Sequence, residues 1–272
     1  MQFASLNGIT LHYRATGDFR RRPMIVFANS LGTDFRIWDD VVAELSGDFA
    51  MLLYDTRGHG LSDVGRTPYT IDDHVADLAA LLDHVGVRHA TICGLSAGGQ
   101  IAMGLAAKRP DLVQALILCD TAHKIGDRAS WNARIAAIEQ AGIASIADAI
   151  LARWFAPTFA AERPAVFAGC RAMLCRQPAD GYVANAAAVR DCDLTAAAAR
   201  IACPTHCLVG EYDQSTPPAI VRSLADLIPG AGYAVIPGAG HLPCIERPAA
   251  LAEHIRTFVA GLEKESMSHV PE

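Results

Sequence analysis

A serine hydroxyl becomes a usable nucleophile only where a turn exposes it and a base can take its proton. Gly94-Leu95-Ser96-Ala97-Gly98 offers such a turn: it fits G-x-S-x-G and stands between the apolar run 90–93 and a helical stretch opening at Ala97. Small residues at 94 and 98 let the strand-to-helix turn close and lift Ser96 Oγ out of a sheet. Ser96 then sits at a helix N-terminus, whose partial positive charge favours a developing oxyanion. The base should be a histidine oriented by a carboxylate, in the chain order Ser, acid, His. Asp213 lies in the loop after the apolar run 205–209, and His241 follows 28 residues later in a glycine-rich turn after another strand. Ser96 is therefore the candidate nucleophile, His241 the base and Asp213 the orienting acid.

Rivals exist for two of the three. Glu211 stands two residues before Asp213 and could serve as the acid. Nine further histidines are present; His59, His89 and His206 precede the acid and break the chain order, and His254 and His269 fall in a terminal helix and tail. An oxyanion hole needs two backbone donors, for which the amides of Ala97 and of Leu31, in the loop after run 24–28, are the candidates. The turn 54–62 is polar and glycine-rich, but it lacks both the Lys-Ser/Thr ending of a P-loop and the G-x-G-x-x-G spacing. Asp55 and Arg57 within it read as structural.

To stand together, these residues need a sheet whose strand ends release them into loops. Apolar runs at 24–28, 50–54, 90–93, 115–119 and 205–209 alternate with amphipathic stretches, the pattern of a mostly parallel sheet covered on both faces by helices. Residues 3–15, with Asn7-Gly8 between alternating apolar positions, predict a leading antiparallel hairpin. The spacing of Val75, Leu78, Leu81, Leu82 and Val85 predicts a helix over 71–85, started by Thr70 and Asp73 and stopped at Gly86. A second helix should run from Ala97 to about Arg109, before Pro110. Strand signals stop between about 122 and 195, where alanine-rich helices are punctuated by Gly142, Pro157, Pro164 and Pro178. The expected organisation is an α/β-hydrolase core in two parts, 1–121 and 196–262, a helical lid over 122–195 and a flexible tail over 263–272.

Composition narrows the function classes. With 272 residues, 51% hydrophobic and 19% charged, the chain can bury a large core. A formal charge of −6 with scattered Lys and Arg argues against a nucleic-acid partner. No apolar run reaches the length of a membrane span and no leader pattern opens the chain, so a soluble cytoplasmic protein is expected. The eight cysteines include no C-x-x-C pair and read as buried free thiols, not as a zinc site. The sequence leaves the oligomeric state open, with a homodimer among the options.

Five segments resemble one family over nearly the whole chain: FANSLGTDFRIWD (27–39), YDTRGHGLSD (54–63), GLSAGG (94–99), CDTAHKIGDRASWNARI (119–135) and GAGHLPCIERP (238–248). They are similar to the 3-oxoadipate enol-lactonases of aromatic-ring catabolism, members of the α/β-hydrolase superfamily. Ala97 stands where that family commonly has Met or Leu, and His123 replaces a small residue; both changes bear on the pocket. The resemblance implies a cofactor-free, metal-free hydrolysis of a small lactone to 3-oxoadipate in the β-ketoadipate pathway. Some members of that family are fused to a decarboxylase; this sequence ends where the hydrolase fold should end, so no second activity is expected. Such a lactone bears a carboxylate, so the lid should present a cation and a flat surface. Arg134 is the expected carboxylate ligand, with Lys124 as the alternative cation; Trp131 should pack on the ring and Trp154 close the pocket. Another ester, lactone or C–C bond hydrolase is the alternative reading, and a catalytically silent ligand-binding protein of the same fold a remote one.

Overall fold

The computed structural model describes the backbone of residues 1–268 and the side chains of residues 1–262. Eight strands form one sheet: β1 (Gln2–Leu6), β2 (Ile9–Thr16), β3 (Met24–Ala28), β4 (Ala50–Tyr54), β5 (Ala90–Leu95), β6 (Val113–Cys119), β7 (Thr205–Gly210) and β8 (Gly232–Ile236). Their order is β1-β2-β4-β3-β5-β6-β7-β8, with β1 and β2 antiparallel to their neighbours and β4 to β8 all parallel. The central strands β3, β4 and β5 are buried at every residue, as strands covered on both faces must be. The expected hairpin is present, with Asn7 (φ +50) and Gly8 (φ +76) at its tip in the left-handed conformation that its two-residue turn requires.

Local signals placed the helices well. The helix Ile71–Val85 starts at a reciprocal Thr70–Asp73 capping box and ends at Gly86 with φ 75. The helix Ala97–Lys108 stops before Pro110. Between β6 and β7 the chain is helical: Arg128–Ala141, Ala147–Trp154, Phe159–Glu162, Pro164–Cys175, Ala179–Asp191 and Thr195–Ala198. Gly142 caps the first of these at φ 75, Pro164 occupies the first turn of the fourth, and Pro178 caps the fifth. The final helix, Pro248–Ser268, runs on past Leu262, where the sequence predicted a flexible tail, because no Gly or Pro interrupts residues 262–268. Residues 269–272, including His269, lie outside the described residues.

The helical segment is pinned to the sheet by specific bonds. Asn185 donates to the Arg57 carbonyl (2.9 Å), and the Gly60 amide donates to Gln177 Oε1 (2.8 Å). Gly181 and Gly58 pack backbone to backbone, so that a Cβ on Gly181 would meet the Gly58 oxygen at 2.3 Å. The 54–62 turn is thus a structural hub, in keeping with the role expected for Asp55 and Arg57. Buried Asp55 accepts from the Phe35 and Leu61 amides and pairs with His12, while Arg57 pairs with buried Asp77 through two 2.6 Å bonds. Among the described residues no helix is long and apolar enough to cross a membrane, and the eight cysteines are free thiols, six of them buried.

Candidate active site

The loops after β3, β5, β6, β7 and β8 meet at the carboxyl edge of the parallel sheet, where open α/β sheets bind ligands. Ser96 follows β5 with φ 56 and ψ −116, a conformation that costs a non-glycine residue free energy and is held by its surroundings. Its amide donates to the Cys119 carbonyl (3.0 Å), and its carbonyl accepts from Thr121 Oγ1 (2.6 Å) and the Gly99 amide (2.9 Å). Gly94 and Gly98 are required by contact: a Cβ on Gly98 would lie 2.1 Å from the Ala28 oxygen, and one on Gly94 2.4 Å from the Gly98 oxygen.

Asp213 and His241 meet behind this serine. His241 Nδ1 lies 2.9 Å from Asp213 Oδ2, and both side chains are buried. Asp213 also accepts from the Ser215 amide (2.7 Å), the Thr216 amide (3.1 Å) and Thr216 Oγ1 (2.7 Å). Burial alone would raise its carboxyl, but His241 and the Thr216 donors outweigh that and hold it below the usual range. With Nδ1 engaged, Nε2 is the ring nitrogen left for Ser96, which borders the same cavity. The rival acid Glu211 points elsewhere, accepting from the Gly238 amide at 2.9 Å.

A buried carboxylate that sequence reasoning missed fixes the His241 backbone. Glu246 Oε2 accepts from the Gly240 amide (2.6 Å) and Oε1 from the Ala156 amide (2.8 Å), tying the histidine loop to the end of the helix Ala147–Trp154. The His241 amide itself donates to the Trp154 carbonyl at 2.7 Å. Burial pushes the Glu246 carboxyl up, against the pull of those two amides.

Two amides remain unspent near Ser96. Among the described residues, neither the Ala97 nor the Leu31 N–H donates to a protein acceptor. Gly32, next to Leu31, adopts φ +83 and donates to His59 Nε2 at 2.9 Å, so the loop is braced by an imidazole that must stay neutral to accept. Burial lowers His59 to about 4 and His74, neither of whose ring nitrogens has a hydrogen-bond partner among the described residues, to about 3. A histidine held neutral in the fold contributes stability that is fully present above its unfolded value near 6.5 and is lost as pH falls toward the folded one. Stability to urea should therefore drop between pH 6.5 and 4.5, by about 1.4 kcal/mol per pH unit for each of the two histidines at the steepest point. His74→Gln should remove one of these slopes. A flat unfolding profile over that window would contradict the assignment.

Ser96 and His241 border a cavity of about 70 Å³ together with Leu31, Trp131, Arg134 and Trp154. Trp131 and Arg134 share one face of their helix, with the guanidinium 4.6 Å from the Trp131 ring centre and the indole Nε1 donating to the Ile125 carbonyl at 2.7 Å. Lys124, expected near the substrate, lies outside this lining: it is exposed and pairs with Asp193 at 3.3 Å, because a nearby surface carboxylate satisfies it first. Ala97 and His123 are also outside the lining.

Sequence reasoning missed Arg153 and Tyr182, which also line the wall. Arg153 donates to the Gln214 carbonyl (3.0 Å), and partial burial followed by the neighbouring Arg134 guanidinium lowers its pKa. Adjacency to Trp154 was its only signal in the sequence. The lining contains two arginines and no carboxylate.

One cluster of metal-type donors occurs among the described residues, Asp120, Asp213 and His241, with donor atoms within 4.8 Å of one another. The Asp213 oxygens and His241 Nδ1 are already bonded to each other and to loop donors, so the set does not converge on a cation. A larger cleft of about 580 Å³, beside the helix Pro164–Cys175, contains none of the candidate catalytic side chains. The arrangement around Ser96 is suited to nucleophilic acyl transfer.

Comparison with known proteins identifies the family to which this fold belongs. Residues 23–248 match the model of the alpha/beta hydrolase fold family. The chain is 33% identical over 242 residues to 3-oxoadipate enol-lactonase 2 of Acinetobacter baylyi, covering 89% of this chain and 90% of that one. It is 31% identical over 256 residues to 3-oxoadipate enol-lactonase 1 of the same organism, covering 94% and 95%. The crystal structure of the enol-lactonase from Burkholderia xenovorans LB400 superposes with a TM-score of 0.92 at 37% identity, covering 95% of this chain and all of that one. Strand order, the serine turn and these similarities together place the chain in the α/β-hydrolase superfamily, as a member of the 3-oxoadipate enol-lactonase family.

Proposed function

We propose that this hydrolase opens 3-oxoadipate enol-lactone to 3-oxoadipate, as a cytoplasmic step of aromatic-compound breakdown by the β-ketoadipate route. The observation that carries the reading is the pair Arg134 and Arg153 beside Ser96, with no acidic side chain in the cavity wall. A buried substrate carboxylate requires such partners, whereas a neutral ester does not. The volume of about 70 Å³ also favours a compact ligand: pockets for drug-sized molecules run to roughly 300–1,000 Å³. Residues 122–195 would act as the lid that admits it.

In this reading Ser96 Oγ attacks the lactone carbonyl while His241 Nε2 takes its proton, and Asp213 stabilises the imidazolium through Nδ1. The Leu31 and Ala97 amides receive the tetrahedral oxyanion. Collapse breaks the ring C–O bond and expels an enolate; His241 returns the proton, and the enol becomes a ketone. Water, deprotonated by His241, then attacks the acyl carbonyl, and the leaving Ser96 oxygen is reprotonated.

The test compares kcat/KM on the enol-lactone with that on a neutral lactone of similar size. A preference of about 10²-fold or more for the anionic substrate is expected. Equal or better turnover of the neutral lactone would overturn the substrate assignment and leave a general esterase.

A further inference from the structure

Beside His241 lies a buried carboxyl to which the mechanism above gives no part. Asp120 is the first residue past β6, fully buried, with φ +47, a conformation that a non-glycine side chain adopts only when its surroundings hold it there. Its amide donates to the Leu208 carbonyl (2.8 Å), and its Oδ1 accepts from the Gly210 amide (2.8 Å), so it bridges β6 to the end of β7 that delivers Asp213. Its Oδ2 is buried and receives no hydrogen bond from any described residue. An oxygen of Asp120, an oxygen of Asp213 and a ring nitrogen of His241 all lie within 4.8 Å of one another.

Two ionised carboxylates cannot share a buried site at that separation, so one of the pair carries a proton. The donors decide which. Asp213 accepts from two amides, a hydroxyl and His241, whereas Asp120 accepts from one amide. Its other ionisable neighbours, the thiols of Cys119 and Cys244, bring no positive charge. Burial, and then the Asp213 charge, raise the Asp120 carboxyl well above the carboxylate range.

We propose that Asp120 is a positioning residue for His241: as a neutral acid it donates its Oδ2 proton to Asp213, and it becomes the replacement orienting carboxylate when Asp213 is neutralised. The reserve role follows from the first. Once the neighbouring negative charge is gone, the Asp120 proton passes to solvent, and the resulting carboxylate lies within reach of the imidazolium. This inference rests on the Ser96–His241–Asp213 reading but not on the identity of the substrate, so p-nitrophenyl acetate serves as the assay.

The experiment is a double-mutant cycle with an infrared readout on the folded, full-length protein. Loss of the orienting charge in a triad ordinarily costs about 10⁴-fold in kcat. Asp213→Asn should here cost only about 10²-fold, and Asp120→Asn combined with Asp213→Asn about 10⁴-fold. Asp120→Asn alone, which keeps both shape and donor, should cost less than about tenfold. The difference spectrum of wild type minus Asp120→Asn should contain the carbonyl stretch of a protonated carboxylic acid at neutral pH. Equal rates for Asp213→Asn and the double variant would overturn the reserve role, and absence of the acid band would overturn the neutral state. An Asp213→Asn enzyme at more than a tenth of the wild-type rate whose activity also survives in the double variant would instead remove the triad itself.

Discussion

Replacing Ser96 by alanine should lower kcat on any ester or lactone by at least about 10³-fold, leaving what binding and the proposed oxyanion amides provide. The expectation rests on position as much as on chemistry. Ser96 is held at φ 56 by its neighbours on β6 and by glycines whose Cβ atoms would collide with backbone, and a fold spends that strain only to present the side chain. Alanine keeps the same backbone and removes only Oγ, so thermal unfolding should shift little while turnover collapses. Single-turnover kinetics would show whether the acyl-enzyme burst is lost. A variant with normal melting that retains more than a tenth of the wild-type rate would remove Ser96 as nucleophile.

The second large effect is expected at the arginines. Arg134→Met should reduce kcat/KM on the anionic lactone by about 10- to 150-fold, corresponding to loss of a charge-assisted contact of about 1.5 to 3 kcal/mol. The neutral lactone should lose less than about threefold. Arg153→Met should behave alike, because both residues border the cavity and the Arg134 guanidinium adds to the cost of the Arg153 charge in the absence of an anion. Neighbouring groups do not add simply; the double variant is expected to lose about 10³-fold on the anionic substrate. Lys124→Met serves as the control, since its ammonium is exposed and paired with Asp193 away from the cavity, and it should leave the preference intact. Equal losses on both lactones would reassign Arg134 to packing on Trp131, whose ring it already covers.

Local signals in the sequence determined a great deal of this molecule. The G-x-S-x-G turn, the Thr70 capping box, Gly86 and the alternation of apolar runs with amphipathic stretches are short-range devices, in which each residue's conformation follows from neighbours a few positions away. They were enough to predict the hairpin, the parallel strands, the helical segment between β6 and β7 and the loops in which Ser96, Asp213 and His241 stand. Strand ends were read one or two residues short, as at Leu95 and Gly210, because the strands continue into residues that the site itself requires.

Only the tertiary structure decided the surroundings of those residues. That Arg153 joins Arg134, that Lys124 turns away to Asp193 and that Glu246 ties Gly240 to Ala156 depend on contacts between segments far apart in the chain. No periodicity records such contacts. Asp120 shows the limit most clearly: in the sequence it is one polar residue after a strand, with nothing to distinguish an exposed carboxylate from a buried acid. Its proton depends on burial and on the distance to Asp213, 93 residues away in the chain, and both quantities exist only once β6 and β7 lie side by side.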